Sequence, residues 1–345
     1  MIGSREGGGM ATHINELSKH LEMRGNRVTL ISPVHLWPPL AVASYVRKLA
    51  SGYDIVHVHG SYEIPALVAG LIATRAVGGG TVYTPHGTGS RYWRPGKRWG
   101  GLWRDSAKRV DVIISVSESV RRRLVQILGE NPPRHRTIYN GVDTDFFSPP
   151  QDSSEAKRAL GVVGKYVLLY LGRLAASKGV VYLLRAMPSL RNEIRDVTLL
   201  IGGKGELEGE LRREVVDLGV SDIVEFRGYI PQELLPRFYS ASDVVIVPST
   251  HEPMGIVPLE AMSMKKPVIG ARTGGIAESL SDGRTGLLVP PRDYEAIAVA
   301  VKTLHDDPDL AAELGENGRS MAVKRFSWER VAEETLNAYT DSLLG

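Results

Sequence analysis

The chain has 345 residues, enough for two domains of roughly 150 residues each. A composition of 43% hydrophobic and 23% charged residues excludes collagen, coiled coil and disorder, and the lack of cysteine excludes disulfides, thiolate zinc sites and a cysteine nucleophile. The net charge of +3 is unevenly spread: residues 1–150 hold 19 Lys+Arg against 11 Asp+Glu and the remainder is acidic, which directs the first half towards an anionic partner.

In chain order, Gly7-Gly8-Gly9 opens a helix over Thr12 to Met23, with Ile14, Leu17 and Leu21 on one face and Gly25 past its end. Such a glycine turn follows a strand, and Met1 to Arg5 supply little of one. The expectation is therefore that the first strand of the N-terminal domain is missing or truncated, and that the native protein starts further upstream. Strands are predicted at Val28 to Ser32, Asp54 to His59, Thr81 to Thr84, Val112 to Val116 and Arg136 to Tyr139. A second series follows at Tyr166 to Leu171, Val197 to Ile201, Ile223 to Gly228, Val244 to Val247, Pro267 to Ala271 and Gly286 to Val289. Continuous apolar strands separated by helices mean parallel sheets covered on both faces. Two such sets, divided near Ser148-Pro149-Pro150, predict two doubly wound α/β domains, residues 1–148 and 149–325. Ligands of such sheets bind beyond the carboxyl ends of the strands.

The strongest local signal is the stretch from Thr250 to Met262, with Glu252 in a polar loop after a strand and Glu260 within a helix that starts near Gly255. A carboxylate accepts two hydrogen bonds from adjacent hydroxyls, as a ribose or hexose offers. Backbone N–H groups at a helix start favour an anion or polar hydroxyls. The second signal is Gly172-Arg173-Leu174 with Lys178-Gly179, directly after the strand ending at Leu171. Arg173 offers a planar fork and Lys178 a point charge, the pairing wanted around a diphosphate. Gly202-Gly203-Lys204-Gly205 after the next strand is a weaker sign of the same kind, and His86 stands at the end of a strand in Thr84-Pro85-His86-Gly87. His57 and His59 read as packed or capping residues rather than metal ligands, and Asp143-Thr144-Asp145 as turn chemistry.

Taken in order, these motifs resemble the retaining glycosyltransferases of the GT-B fold, family 4 (glycosyl transferases group 1), over nearly the whole chain. The resemblance is carried by Gly8, Gly9 and His13, then by Asp54 with His57, by His86-Gly87 and by Asn140-Gly141-Val142-Asp143. Gly172-Arg173 with Lys178-Gly179, Glu252 to Glu260, Gly274-Gly275 and Gly286 to Pro290 complete it. It implies two Rossmann-like domains facing a cleft, with residues 326–345, around Phe326-Ser327-Trp328-Glu329, forming a helix that crosses back to the first domain. It also implies that Arg173 and Lys178 hold a nucleotide diphosphate, Glu260 the ribose, and Glu252 the transferred sugar beside the backbone of Met254, Gly255, Ile256 and Val257. His86 approaches the sugar from the other domain, and Gly8 and Gly9 line the phosphates. The implied reaction moves a hexose from a UDP- or GDP-linked sugar to a hydroxyl of a lipid-linked, phosphorylated or glycan acceptor. Configuration is retained, and neither a cofactor nor a metal is required. Two departures stand out: Met254 where phenylalanine is common, and Lys265 where glycine is usual, at some expense to the helix end.

Residues 91–109 hold seven Lys+Arg, one acid and Trp93, Trp99 and Trp103, a composition suited to an anionic lipid surface. The expectation is a cytoplasmic protein, peripheral on the inner face of the membrane, that binds no nucleic acid. No apolar run reaches the ~18–20 residues of a membrane span, and the N-terminus has no signal-peptide pattern. A nucleotide-sugar epimerase of the same fold and an inactive nucleotide-binding relic stay open as alternatives. A glycosidase explains two glutamates but not the neighbouring Arg/Lys pair, and a dehydrogenase lacks its glycine spacing and acidic partner.

Overall fold

The computed structural model describes residues 9–31, 52–60, 78–87, 98–129 and 133–344. The chain divides into two compact units, one made of Met1–Gly141 with Trp328–Gly345, the other of Val142–Ser327. The division lies upstream of Ser148-Pro149-Pro150 because the chain is already committed to the second unit. Val142 N donates to Phe326 O at 2.8 Å, Phe147 is buried, and its carbonyl accepts from Ser263 Oγ at 2.7 Å.

In the first unit the described strands are β1 (Ile55–His59), β2 (Gly80–Thr84), β3 (Val112–Ser115) and β4 (Arg134–Thr137), all parallel in the order β1-β2-β3-β4. The inner strands carry β-branched and aromatic residues, Thr81, Val82 and Tyr83 in β2 and Val112, Ile113 and Ile114 in β3, which fit a pleated surface covered on both faces. Leu17 and Leu21 of the helix Gly9–Met23 pack with Val82, Val112 and Ile114, and the C-terminal helix Trp328–Leu343 adds Trp328 and Val331 to that core. Two strand assignments need correction. Val28 to Ile31 are half-buried with a single bridge residue at Ile31, so no ladder runs along them; Ser32 lies outside the described residues. The strand expected at Arg136 to Tyr139 is β4, two residues earlier. Its register against β3 pairs Val112 with Arg134, and as an end strand of the described sheet it tolerates charge at alternate positions.

The second unit is built on β5 (Tyr166–Leu171), β6 (Val197–Gly202), β7 (Val224–Gly228), β8 (Val244–Val247), β9 (Val268–Ala271) and β10 (Leu287–Val289). They are parallel in the order β10-β9-β8-β5-β6-β7. The order reverses direction between β5 and β8, the switch point at which loops from adjacent strands diverge. Leu168, Tyr170, Leu199, Ile201, Val244 and Ile246 meet Leu183, Met187 and Val301 of the covering helices. Each unit is an α/β fold on a parallel sheet, as the resemblance implies. Lys265, just after the helix Val257–Ser263, adopts the left-handed conformation (φ 56°) that glycine takes without strain.

Candidate active site

In the second unit the loops after β5 and β8 lie side by side at the switch point. The β5 loop leaves Leu171 through Gly172-Arg173 and winds into the short 3-10 turn Ala176–Lys178. The Ser177 carbonyl accepts from Thr250 N at 2.8 Å and His251 N at 3.2 Å, which ties this loop to the one carrying Glu252. Gly179 makes the approach feasible: its φ is 66°, and a Cβ there would collide with the Pro248 carbonyl. The result is that Lys178 Nζ donates to Glu252 Oε2 at 2.5 Å, and Ser249 Oγ donates to the same oxygen at 3.2 Å. Glu252 is buried, and its backbone carbonyl accepts from Gly275 N at 3.0 Å.

Arg173 is exposed, beside a second glycine loop. Gly172 N donates to Gly202 O at 3.0 Å and Leu174 N to Lys204 O at 2.9 Å, so the loops after β5 and β6 run as one layer. Gly203 is needed there, since a Cβ would strike the Gly172 carbonyl. Tyr170 Oη donates to the Arg173 carbonyl at 2.9 Å and holds the residue's backbone, while its guanidinium has no partner among the described residues.

Glu260 is buried in the helix Val257–Ser263 and accepts from Tyr239 Oη at 2.6 Å. Burial lifts its carboxyl to about 7, and the tyrosine hydrogen bond works against that rise. The Tyr239 phenol is held well above its ordinary range by burial and by the neighbouring carboxylate. Met254 is buried, and Gly255 (φ 82°), Ile256 and Val257 are half-buried around the turn that enters the helix. The turn and the two glutamates therefore lie on one continuous stretch. Tyr239 and Ser249 had no sequence signal: a lone tyrosine or serine is uninformative until its partner is known.

In the first unit His86 sits two residues beyond β2, half-buried, and shares a hydrogen bond of 3.1 Å with His59 Nδ1. His13 pairs through Nδ1 with Asn140 Oδ1 at 3.0 Å, and its ring meets His86 edge-on at 4.8 Å. Desolvation holds His13 down to about 4 and keeps His59 and His86 well below the usual imidazole range, so all three are neutral at neutral pH. His57 is a packing residue: Thr84 Oγ1 occupies its Nε2 at 2.7 Å and Tyr339 Oη its Nδ1 at 2.8 Å. The sequence sets His86 at a strand end, but its contacts with His13 and His59 have no local sequence signal. Gly9 begins its helix, exposed, and Gly8 lies outside the described residues. Asp143 Oδ1 accepts from Asp145 N and Phe146 N, which is turn chemistry.

The basic, tryptophan-rich stretch needs correcting at one point. Trp103 is buried and donates from Nε1 to Tyr83 Oη at 3.1 Å, so it belongs to the core rather than to a lipid-facing surface. Arg104, Lys108 and Arg109 are exposed, and residues 91–97 lie outside the described residues. Among the described residues no helix is long and apolar enough to cross a membrane.

Two family models match the chain: "Glycosyl transferases group 1" over residues 152–321 and "Glycosyltransferase Family 4" over residues 7–146. A GDP-mannose-dependent alpha-(1-6)-phosphatidylinositol monomannoside mannosyltransferase of Mycolicibacterium smegmatis is 33% identical over 316 residues, covering 88% of this chain and 81% of the relative. A D-inositol 3-phosphate glycosyltransferase of Acidothermus cellulolyticus is 34% identical over 334 residues, 90% of this chain and 72% of the relative. The crystal structure of Anabaena HepE in complex with UDP-glucose is similar with a TM-score of 0.81 at 25% identity, covering 98% of each chain.

Proposed function

This chain belongs to the group 1, family 4 glycosyltransferases, and from that premise we propose that it moves a hexose from a nucleoside diphosphate sugar to an acceptor hydroxyl, with retention and without a metal. The observation that carries the reading is the Lys178–Glu252 pair at 2.5 Å, set beside the exposed Arg173 at the switch point of the second sheet. Lys178 has three donors and shares them between the carboxylate and a diphosphate. With Arg173 it supplies positive charge where the leaving diphosphate gathers negative charge, which is electrostatic catalysis by fixed groups. Glu252 orients the sugar's hydroxyls, Glu260 accepts from the ribose, and the N–H groups of Met254 to Val257 face the donor. His86 is assigned to the donor sugar and Gly9 to its phosphates on the family resemblance. No carboxylate is assigned as a nucleophile: same-face attack within an ion pair gives retention.

The UDP-glucose complex of HepE and the GDP-mannose dependence of the mycobacterial relative support a UDP- or GDP-linked hexose. The inositol-based names of the two relatives, with the excess of base in residues 1–150, support a phosphorylated or lipid-linked acceptor. In a transfer assay on such acceptors, Lys178→Ala and Glu252→Gln are each expected to lower kcat/KM about ten- to a hundredfold, the worth of one charge-assisted hydrogen bond of about 1.5–3 kcal/mol. EDTA is expected not to lower the rate, and NMR of the product to show the donor's anomeric configuration. Inverted product, or wild-type rates in both variants, would contradict the assignment.

A further inference from the structure

We propose that His13, His59 and His86 form a binding site for a divalent transition metal of zinc's character, and that filling it inhibits sugar transfer. The three residues come from separate elements: His13 from the first helix, His59 from the last position of β1, and His86 from just beyond β2. The parallel register sets His59 opposite Thr84, so His86 emerges immediately past it on the neighbouring strand. One nitrogen from each ring lies within 4.8 Å of the other two. A tetrahedral ion with bonds of 2.0–2.1 Å spaces its ligands about 3.3 Å apart, so modest ring rotations close the set.

Two further features favour an ion. His59 Nε2 is buried with no hydrogen-bond partner among the described residues, whereas the neighbouring His57 is paired at both nitrogens, with Thr84 and Tyr339. Asn140 Oδ1 accepts from His13 Nδ1, the outer hydrogen bond that fixes which nitrogen of a ligating histidine stays free. His57, its ring tilted against that of His59 with centroids 3.9 Å apart, is not a fourth ligand because both its nitrogens are engaged. Three imidazoles with the half-buried side of His86 leave a tetrahedral ion one open position.

Inhibition rests on the reading that His86 serves the donor sugar; the metal site does not. The full chain, prepared without a polyhistidine tag and stripped with EDTA, is titrated with Co²⁺ and followed by visible absorption. One equivalent giving a tetrahedral spectrum, displaced by Zn²⁺, is the expected result. His59→Gln and His13→Gln are expected to weaken Co²⁺ binding at least tenfold, and Asn140→Ala about ten- to a hundredfold through the outer hydrogen bond. Far-UV circular dichroism checks each variant's fold. No saturable absorption in the wild-type chain, or the same affinity in folded variants, would overturn the site. Micromolar Zn²⁺ is expected to slow transfer by the wild type, and a wild-type rate unchanged at full occupancy would overturn the inhibition. Stabilisation by UDP or GDP is read in parallel: its loss would fault the transferase reading and leave the metal titration standing.

Discussion

Glu260 is a carboxyl placed where its charge is expensive. Burial lifts it to about 7 from an ordinary value of 4.5, and Tyr239 recovers part of the cost with a 2.6 Å hydrogen bond. Because the folded-state value is raised, the folded chain holds this proton more tightly than the unfolded one. Its contribution to stability is therefore present below about 4.5 and is lost as pH climbs through about 7. For a ribose the sign is opposite, since the ionised carboxylate is the better acceptor. Affinity for UDP or GDP is expected to rise about tenfold between pH 6 and pH 8, following the ionised fraction of a group titrating near 7. Glu260→Gln removes that component, and calorimetry of both proteins separates it from the phosphate's own titration. An identical pH dependence in the two would show that Glu260 does not meet the nucleotide.

At the scale of elements, loops at strand ends do the positioning, and Gly179 is the joint between two of them. Its left-handed backbone (φ 66°) and contact with the Pro248 carbonyl let the Lys178 loop lie against the Glu252 loop. Gly179→Ala is expected to cost about 1–2 kcal/mol from the backbone conformation alone, a fall of several degrees in Tm, and to lower kcat/KM by separating Lys178 from Glu252. Scanning calorimetry and the transfer assay read the two effects; unchanged kcat/KM with lowered Tm would mean the joint is structural only. Sequence legibility follows the same elements. β5 and β8 match the expected bounds because an unbroken apolar run has one reading, a strand covered on both faces. β4 alternates exposed and half-buried polar residues (Arg134, His135, Arg136, Thr137), so only its register against β3 fixes where it begins.

For the whole molecule, the chain leaves the first unit at Gly141 and returns to it at Trp328. Trp328 is buried there, 5.3 Å from the His13 ring and pressed on Gly141. Trp328→Ala is expected to cost about 3–5 kcal/mol and to lower the unfolding temperature of the first unit, with stabilisation of the second unit by nucleotide persisting. Calorimetry with and without UDP checks this, and loss of both would mean that the units unfold as one. The division into two α/β units and the motifs Gly172-Arg173, Lys178 and Glu252 to Glu260 were readable because each is local in sequence. His13 with Asn140, 127 residues apart, and Tyr239 with Glu260 were not, because only the folded chain brings them together.

The most direct measurement is a thermal-shift panel of UDP, GDP, ADP and CMP in the presence of EDTA, on the wild-type chain and on Lys178→Ala. At a hundredfold excess over its Kd a nucleotide adds about 2.7 kcal/mol, a shift of several degrees for a unit of this size. One diphosphate is expected to stabilise the wild type selectively and to lose most of that effect in Lys178→Ala. A flat panel on folded protein, or equal shifts in both proteins, would contradict a diphosphate site built on Lys178.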